Sequence, residues 1–394
     1  MLSASASLTL PALAAHSQQP SIADVRQQWL AHMATGPAAL RENLLVFFHD
    51  LFGSSTTSVK NAQAHADRNA ALRRTVMTSV PGVLAEMILN PAMMMQIGMH
   101  GHTLDRVSDR PAKLVLDHWT MGSGAYPDAL VEEVSRALTG WSVQRADIST
   151  TDPLALERGP LVTSFKPADF DSEPKTILST TANFGARAAV RELALHPATA
   201  TRISQRLLRH FGVVDGEQVL QHRLEKVYAD TQGSMQALLS EIATSDAFWS
   251  ARARWQLIKS PVHLAIGACR QFELQAIPAA GLDTWLSRCG QTLFDTPNNG
   301  EGGWANQEAW ITPSDRLALR YGLYDVLQGD TFSIGFVSST PAKSIRRKAQ
   351  ARAPESAADA VALLDPAPGI NVSSLRNPQR VFARVMATPQ YQLA

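Results

Sequence analysis

Five side chains along this 394-residue sequence have the types and settings for proton transfer: His49, Asp109, Asp117, Asp171 and Lys175. Two carboxylates can serve as general acid and general base when burial moves their pKa values apart, with a His or Lys relaying the proton. Asp109, Lys113 and Asp117 recur every four residues and share one helical face. The same spacing also builds an ordinary solvated ladder of charges. His49 stands among Phe47, Phe48, Leu51 and Phe52, a setting that suits a packed imidazole as well as a catalytic one. Asp169, Asp171 and Glu173 alternate like the start of a calcium loop, but the Gly and terminal Glu of that motif are absent. Asp171 and Lys175 therefore read equally as anchors that hold their loop by ion pairs or backbone hydrogen bonds. His100 and His102 lie two apart without a third ligand nearby, so no metal site is expected there. Trp304 and Trp310 flank a Gly-rich turn and offer either a ligand-binding platform for a sugar or peptide, or two indoles that pin the turn to the core. There is no G-x-S-x-G elbow, phosphate-binding P-loop, dinucleotide fingerprint, H-E-x-x-H or C-x-x-C. No cofactor is expected.

The elements that must position these groups are mostly helices. Ser21 caps a helix over 22–33, and 38–52 is strongly apolar. Residues 60–89 read as two helices broken near Pro81–Gly82. Asn90–Pro91 opens a helix whose consecutive Met93, Met94 and Met95 read as core filler. A helix is expected over 108–121, with Leu114, Val115 and His118 on one face. Gly122 and Gly124 end it, and the next helix runs to Gly140. From 142 to 186 the periodicity lapses among four prolines, a long loop with LVTSF as a short strand; loops of this length are often functional. Helices resume at 187–211, broken at His196–Pro197. Arg202, Arg206, Arg209 and His210 read there as a solvated basic side. Further helices follow at 218–230, 234–243, 260–272, 282–291, 316–327, 355–364 and 378–386. The fold class is mainly α, an irregular multi-helix bundle with long Gly/Pro/Trp-rich loops. A flexible segment 1–20 precedes one large helical domain, 21–394, in which 21–141 and 187–394 could form subdomains joined by the loop 142–186.

NPAMMM, a charged helix closing in TMG, and GAYPDALVEEVSRALTGW occur in that order. Downstream come FKPADFDSEPKT, LALHPATATRISQRLLRHF, IKSPVHLAIGACR, the CGQTLF…WI…R segment and the closing ATPQYQLA. Together these resemble the bacterial family catalogued as domain of unknown function 1800, from about Leu40 to Ala394. The resemblance implies kinship and no particular reaction. Departures from the family pattern are specific. FFHDLF stands where the family has F-W-x-N-H-F, so Leu51 takes the His position. In N-E-N-F-A-R-E-L-x-E-L, Asp109 and Asp117 take the first and third Glu positions, Lys113 the Arg and Leu114 the second Glu. In H-D, Phe170 replaces the His while Asp171 stands, as do Lys175 and Thr176. A His/carboxylate site in this family would thus have lost two His and one Glu here.

The chain is 45% hydrophobic and 18% charged with a net charge of +1, which gives no basic patch for nucleic acid. No apolar run is long enough for a transmembrane span. LTLPALA, ending in ALA before Ala15, resembles a leader with a cleavage site but lacks a basic start, so periplasmic or extracellular and cytoplasmic residence both stay open, as does a start shortened at the N-terminus. Cys269 and Cys289 are either separate buried thiols or, after export, one disulfide. The expected function is that of a divergent, non-catalytic scaffold or partner-binding protein with a protein partner. The alternative is a hydrolase-like enzyme with a carboxylate/Lys/His site between the 108–121 helix and the 142–186 loop.

Overall fold

The computed structural model describes residues 19–213, 218–250, 253, 256–274, 277–304, 307–312, 314–327, 386 and 389–392. All of segment 1–20 except its last two residues lies outside this set, as do the helix expected at 355–364 and all of 378–386 but Met386. Within it the protein is mainly α-helical, with two small two-stranded sheets.

Local chemistry sets the helix starts. In α1 (Ile22–Thr35), Ser21 accepts from the Asp24 N–H while the Asp24 carboxylate takes the Ser21 N–H, a reciprocal capping box. Helix α2 (Ala39–Phe52) is apolar on nearly every side and buries Leu44 through His49 together with Leu51 and Phe52, so it runs through the core. Helix α3 (Ala62–Thr75) is different. It buries polar residues, among them His65, Arg68, Asn69 and Arg73. Its N-cap Asn61 accepts from Ala64 and donates to the Leu156 and Gly159 carbonyls, tying α3 to the segment after residue 142.

The break in 60–89 falls at residues 76–79, ahead of Pro81. Pro81 sits in the first turn of α4 (Val80–Met87), where its missing N–H costs no hydrogen bond. Helix α5 (Pro91–Ile97) is capped by Asn90, which accepts from Ala92 and Met93, and Met93 and Met94 are fully buried. No single helix among the described residues is long and apolar enough to cross a membrane. The bent pair α4–α5 passes by composition, but most of its residues are buried core.

Helix α6 (Asp109–Leu114) runs into a π-helical turn at Val115–Trp119, and α7 (Asp128–Ala137) follows. The stretch expected as a long loop contains two hairpins and a one-turn helix, α8 (Pro153–Leu156). Strand β1 (Trp141–Arg145) pairs antiparallel with β2 (Leu161–Phe165), in the register Trp141 opposite Phe165. Strand β3 (Lys175–Ile177) pairs with β4 (Thr180–Ala182). These strands are too short to show a clear alternation in sequence, which is why the stretch reads as irregular.

Helices α9 (Ala186–Leu195) and α10 (Pro197–His210) meet at His196, whose ring caps α10 through the Ala198 N–H. Then come α11 (Gln218–Asp230), α12 (Met235–Ala243), α13 (Asp246–Trp249), α14 (Pro261–Gln271) and α15 (Ala279–Arg288). The expected 316–327 helix is two pieces, α16 (Ser314–Tyr321) and α17 (Leu323–Leu327), divided at Gly322. A last turn, α18 (Pro389–Gln392), is held by Arg320 and Lys259, which donate to Gln392 and the Tyr391 carbonyl. One apolar cluster extends from Val25 to Tyr391 and draws on both halves of the chain. Cys269 and Cys289 are free, buried thiols, each pushed up to about 12 by burial.

The first three helices are joined by one carboxylate. Buried Glu42 on α2 accepts from Arg73 Nε at 2.5 Å and Nη2 at 2.9 Å, and from Trp29 Nε1 at 3.0 Å; His32 lies 3.4 Å away. Burial alone pushes this carboxyl up, but Arg73 and His32 outweigh it and hold the pKa at about 2. The folded state therefore keeps Glu42 charged more tightly than the unfolded chain does. Its stabilisation is full above pH 4.5 and is lost as pH falls towards 2, about 3 kcal/mol in all. Glu42→Gln is expected to cost about 3–5 kcal/mol at neutral pH, because it strands Arg73 in the interior. Urea melts should show that loss at pH 7 and a shallower decline than wild type between pH 4.5 and 2.

Candidate functional site

The end of α2 is held under the loop 294–304. The fully buried His49 ring lies between Trp29 at 5.2 Å, Phe294 at 5.1 Å and Trp304 at 5.3 Å between centroids. Its Nε2 accepts the Phe294 N–H at 3.0 Å. Burial, aided by the charge of Arg68, drives the His49 pKa well below the imidazole range, so the ring is a neutral, fixed acceptor. The next residue, Asp50, accepts the Trp304 N–H at 2.8 Å through Oδ1 and Arg206 Nη2 at 2.7 Å through Oδ2. Burial raises the Asp50 pKa more than Arg206 and the Trp304 amide lower it, although 34 % of its side chain stays accessible. Ser54 and Thr296 complete the junction with reciprocal bonds, and Ser55 N–H donates to Gln96.

Two glycines make the approach close enough. Gly53 has φ +68° and ψ 174°, a backbone region open essentially only to glycine, and a Cβ there would collide with the carbonyl oxygens of Gly300 and Gly302. A Cβ on Gly303 would collide with Asp50.

The π turn supplies the facing groups. The Thr120 N–H reaches back five residues to the Val115 carbonyl at 3.0 Å. The extra residue in the turn breaks the four-residue register expected for the charged face. Asp109 and Lys113 keep their exposed pair at 3.6 Å. Asp117 instead accepts the Tyr126 hydroxyl at 2.7 Å, and His118 is half-buried with its ring against Gly302. Burial lowers the His118 pKa against the opposing pull of Asp117, while burial and Asp117 together push Tyr126 up to about 12.

Arg202 and Arg206, one turn apart on α10, close the cluster. Arg202 Nη2 donates to the His118 carbonyl at 3.4 Å, and its Nε is buried without a partner. Arg110 on α6 donates to Glu301 at 2.9 Å, so the same loop is held from a third side. The basic side of α10 is thus not a solvated face. Of these only Arg209 is exposed; His210 packs against Phe47, Phe211 and His263, and its Nε2–H donates to Asn43 Oδ1.

Asp171 and Lys175 come together elsewhere. Arg136 on α7 donates to both Asp171 oxygens, at 2.7 and 3.3 Å. The fully buried Lys175 donates to the carbonyls of Asp171 and Glu173 and to Asn183, and lies over the Phe170 ring. Arg136 leads in holding the Asp171 carboxyl below its usual range. This is a clamp that fixes the 142–186 segment to α7. Trp310 is buried and Trp304 half-buried, so the two indoles form no exposed stacking platform; they pack inward with their loop. Among the described residues no three His, Cys, Asp or Glu side chains stand close enough to hold a metal ion.

Sequence reasoning missed Asp50, His118, Tyr126, Arg202 and Arg206 as a group. The usable signals were Gly302–Gly303 before Trp304, which mark a close backbone approach, and the one-turn spacing of the two arginines. The arrangement defines a mainly α-helical protein with a half-buried acid/base and arginine cluster at a loop–helix junction. The chain belongs to the family described as Protein of unknown function (DUF1800), whose model matches residues 3–393. No curated protein and no solved structure matches it.

Gly53→Ala is expected to destabilise the protein by about 2–4 kcal/mol, from backbone strain plus collision with two carbonyl groups. Hydrogen exchange should locate the damage: the Phe294 and Trp304 amides should lose protection more than amides in α11 and α12.

Proposed function

We propose that this family member is a non-catalytic partner-binding protein that takes an acidic side chain or a terminal carboxylate of its partner at Arg202. One observation carries this reading. Of the proton-transfer groups singled out in the sequence, His49, Asp117, Asp171 and Lys175 are committed to internal bonds and Asp109 to an exposed pair with Lys113, whereas among the described residues Arg202 forms no salt bridge with a carboxylate. Arg206 beside it is neutralised by Asp50. An incoming carboxylate would meet a partly desolvated guanidinium, where a charge-assisted hydrogen bond is strongest.

A second reading is a hydrolase-like enzyme. It is favoured by His118 standing beside the Asp117–Tyr126 pair on a π turn, a feature frequent at functional sites. It would rest on Asp117 and His118, with Asp171 and Lys175 serving their clamp.

Two variants separate the readings. On the binding reading, quantitative affinity capture from extracts of the producing organism yields a stoichiometric partner with wild type and at least tenfold less with Arg202→Gln. The same preparations show no ester, peptide or glycoside hydrolysis that depends on His118. Turnover that drops about 100-fold or more in His118→Ala would overturn the binding reading in favour of the enzyme.

A further inference from the structure

Arg68 is one of the largest fully buried side chains in the protein, and among the described residues no carboxylate pairs with it. Its Nε and Nη2, the edge of the guanidinium that grips two oxygens or one halide, are both sealed from solvent and have no hydrogen-bond partner. Burial with no opposing acid lowers its pKa to about 9, so it still carries its charge at neutral pH.

The neighbouring groups do not supply an acceptor. His65, one turn earlier on α3, uses Nε2 on the Val59 carbonyl at 2.8 Å and Nδ1 on Ser54 Oγ at 3.4 Å. His49 is near enough for the charge of Arg68 to depress its pKa. Since His49 Nε2 accepts the Phe294 N–H and the ring is neutral, the proton resides on Nδ1, and that buried N–H also has no partner. The indole N–H of Trp304, whose ring packs on His49, is a third buried donor without an acceptor. Arg68 and two further buried donor side chains, His49 and Trp304, thus lack acceptors, and among the described residues no carboxylate pairs with the Arg68 charge. An isolated buried cation is costly, whereas one paired with an anion and hydrogen-bonded is not.

We propose that Arg68 and the Nδ1–H of His49 hold a small anion, chloride or a carboxylate group, beneath the loop 294–304. The site is independent of the partner-binding reading. Because His49 and Trp304 are also the residues that hold the loop, the anion would brace the loop from below.

The test is thermal melting of the full-length protein at constant ionic strength in sodium gluconate, whose anion is too large for the site, replaced stepwise by sodium chloride or sodium formate. A saturable rise in Tm of about 4 °C or more is expected with either anion, as for a ligand that binds only the folded state. A response to chloride marks a free halide. A response to formate alone marks a small carboxylate. Arg68→Met should remove the response. A wild-type Tm indifferent to anion identity, or the same rise in Arg68→Met, overturns the proposal. Should Arg68→Met fail to fold, ion chromatography of acid-denatured, exhaustively dialysed wild type decides. About one equivalent of chloride, or of a carboxylate, supports the site; none overturns it.

Discussion

The bonds that His49 and Asp50 accept from the main chain of Phe294 and Trp304 join parts of the sequence some 250 residues apart, with sequence separations of 245 and 254. Side chains on the last turn of α2 act here as fixed acceptors for a loop that cannot satisfy its own backbone. An unpaired buried N–H costs roughly 1–3 kcal/mol, so each bond is needed if the loop is to lie on the core. The approach is possible only because Gly53 and Gly303 carry no Cβ. Placement of the loop then positions Gly302 against His118, Glu301 against Arg110 and Trp304 against His49. The polar cluster is a consequence of this junction.

The protein manages buried charge in three ways. Glu42 and Arg73 form a close pair reinforced by Trp29, which locks α1, α2 and α3 together. Asp171, Arg136 and Lys175 form a network in which every charged group meets an opposite charge or a carbonyl, and this fastens two hairpins to a helix. Arg68 has neither arrangement. The buried imidazoles add a common trend, since burial keeps His49, His65, His210 and His263 neutral. Groups with pKa values lowered in this way stabilise the fold above the ordinary imidazole range and cease to do so as pH falls below it. Acid sensitivity is therefore built into the interior itself, beginning nearer pH 6.5 than the carboxylates alone would dictate.

A single extra residue per turn distinguishes the charge ladder expected for residues 108–121 from the observed cluster. Asp109 and Lys113 obey the four-residue spacing because they precede the π turn. Asp117 lies within it and is carried round to Tyr126. Three positions that the resemblance to the family sets against His or Glu are apolar here. Leu51 and Leu114 are buried, and Phe170 meets Phe165 edge-on and lies under Lys175. At Leu51 and Leu114 the substitution is absorbed into packing, and at Phe170 into the clamp that holds the hairpins.

Much of the helical framework is legible in the sequence because it is written in short-range terms. Ser21, Asn90, His196–Pro197 and Ser260–Pro261 each start a helix through contacts within a few residues, and the Met cluster of α5 declares its burial by composition. The motif order of 90–141 and its downstream companions was enough to point to the family. The tertiary structure alone decided which polar side chains are occupied. Nothing local distinguishes His49 from His118, or Arg202 from Arg206, until the loop from the other end of the chain bonds to His49 and Asp50 pairs with Arg206. The hairpins of 142–186 were hidden for a related reason: strands of three to five residues take their stability from partners and from the Arg136 clamp rather than from their own pattern. Sequence determined where this protein is helical and to which family it belongs. Long-range hydrogen bonding and desolvation, which no local window contains, determined which of its polar side chains are paired and buried.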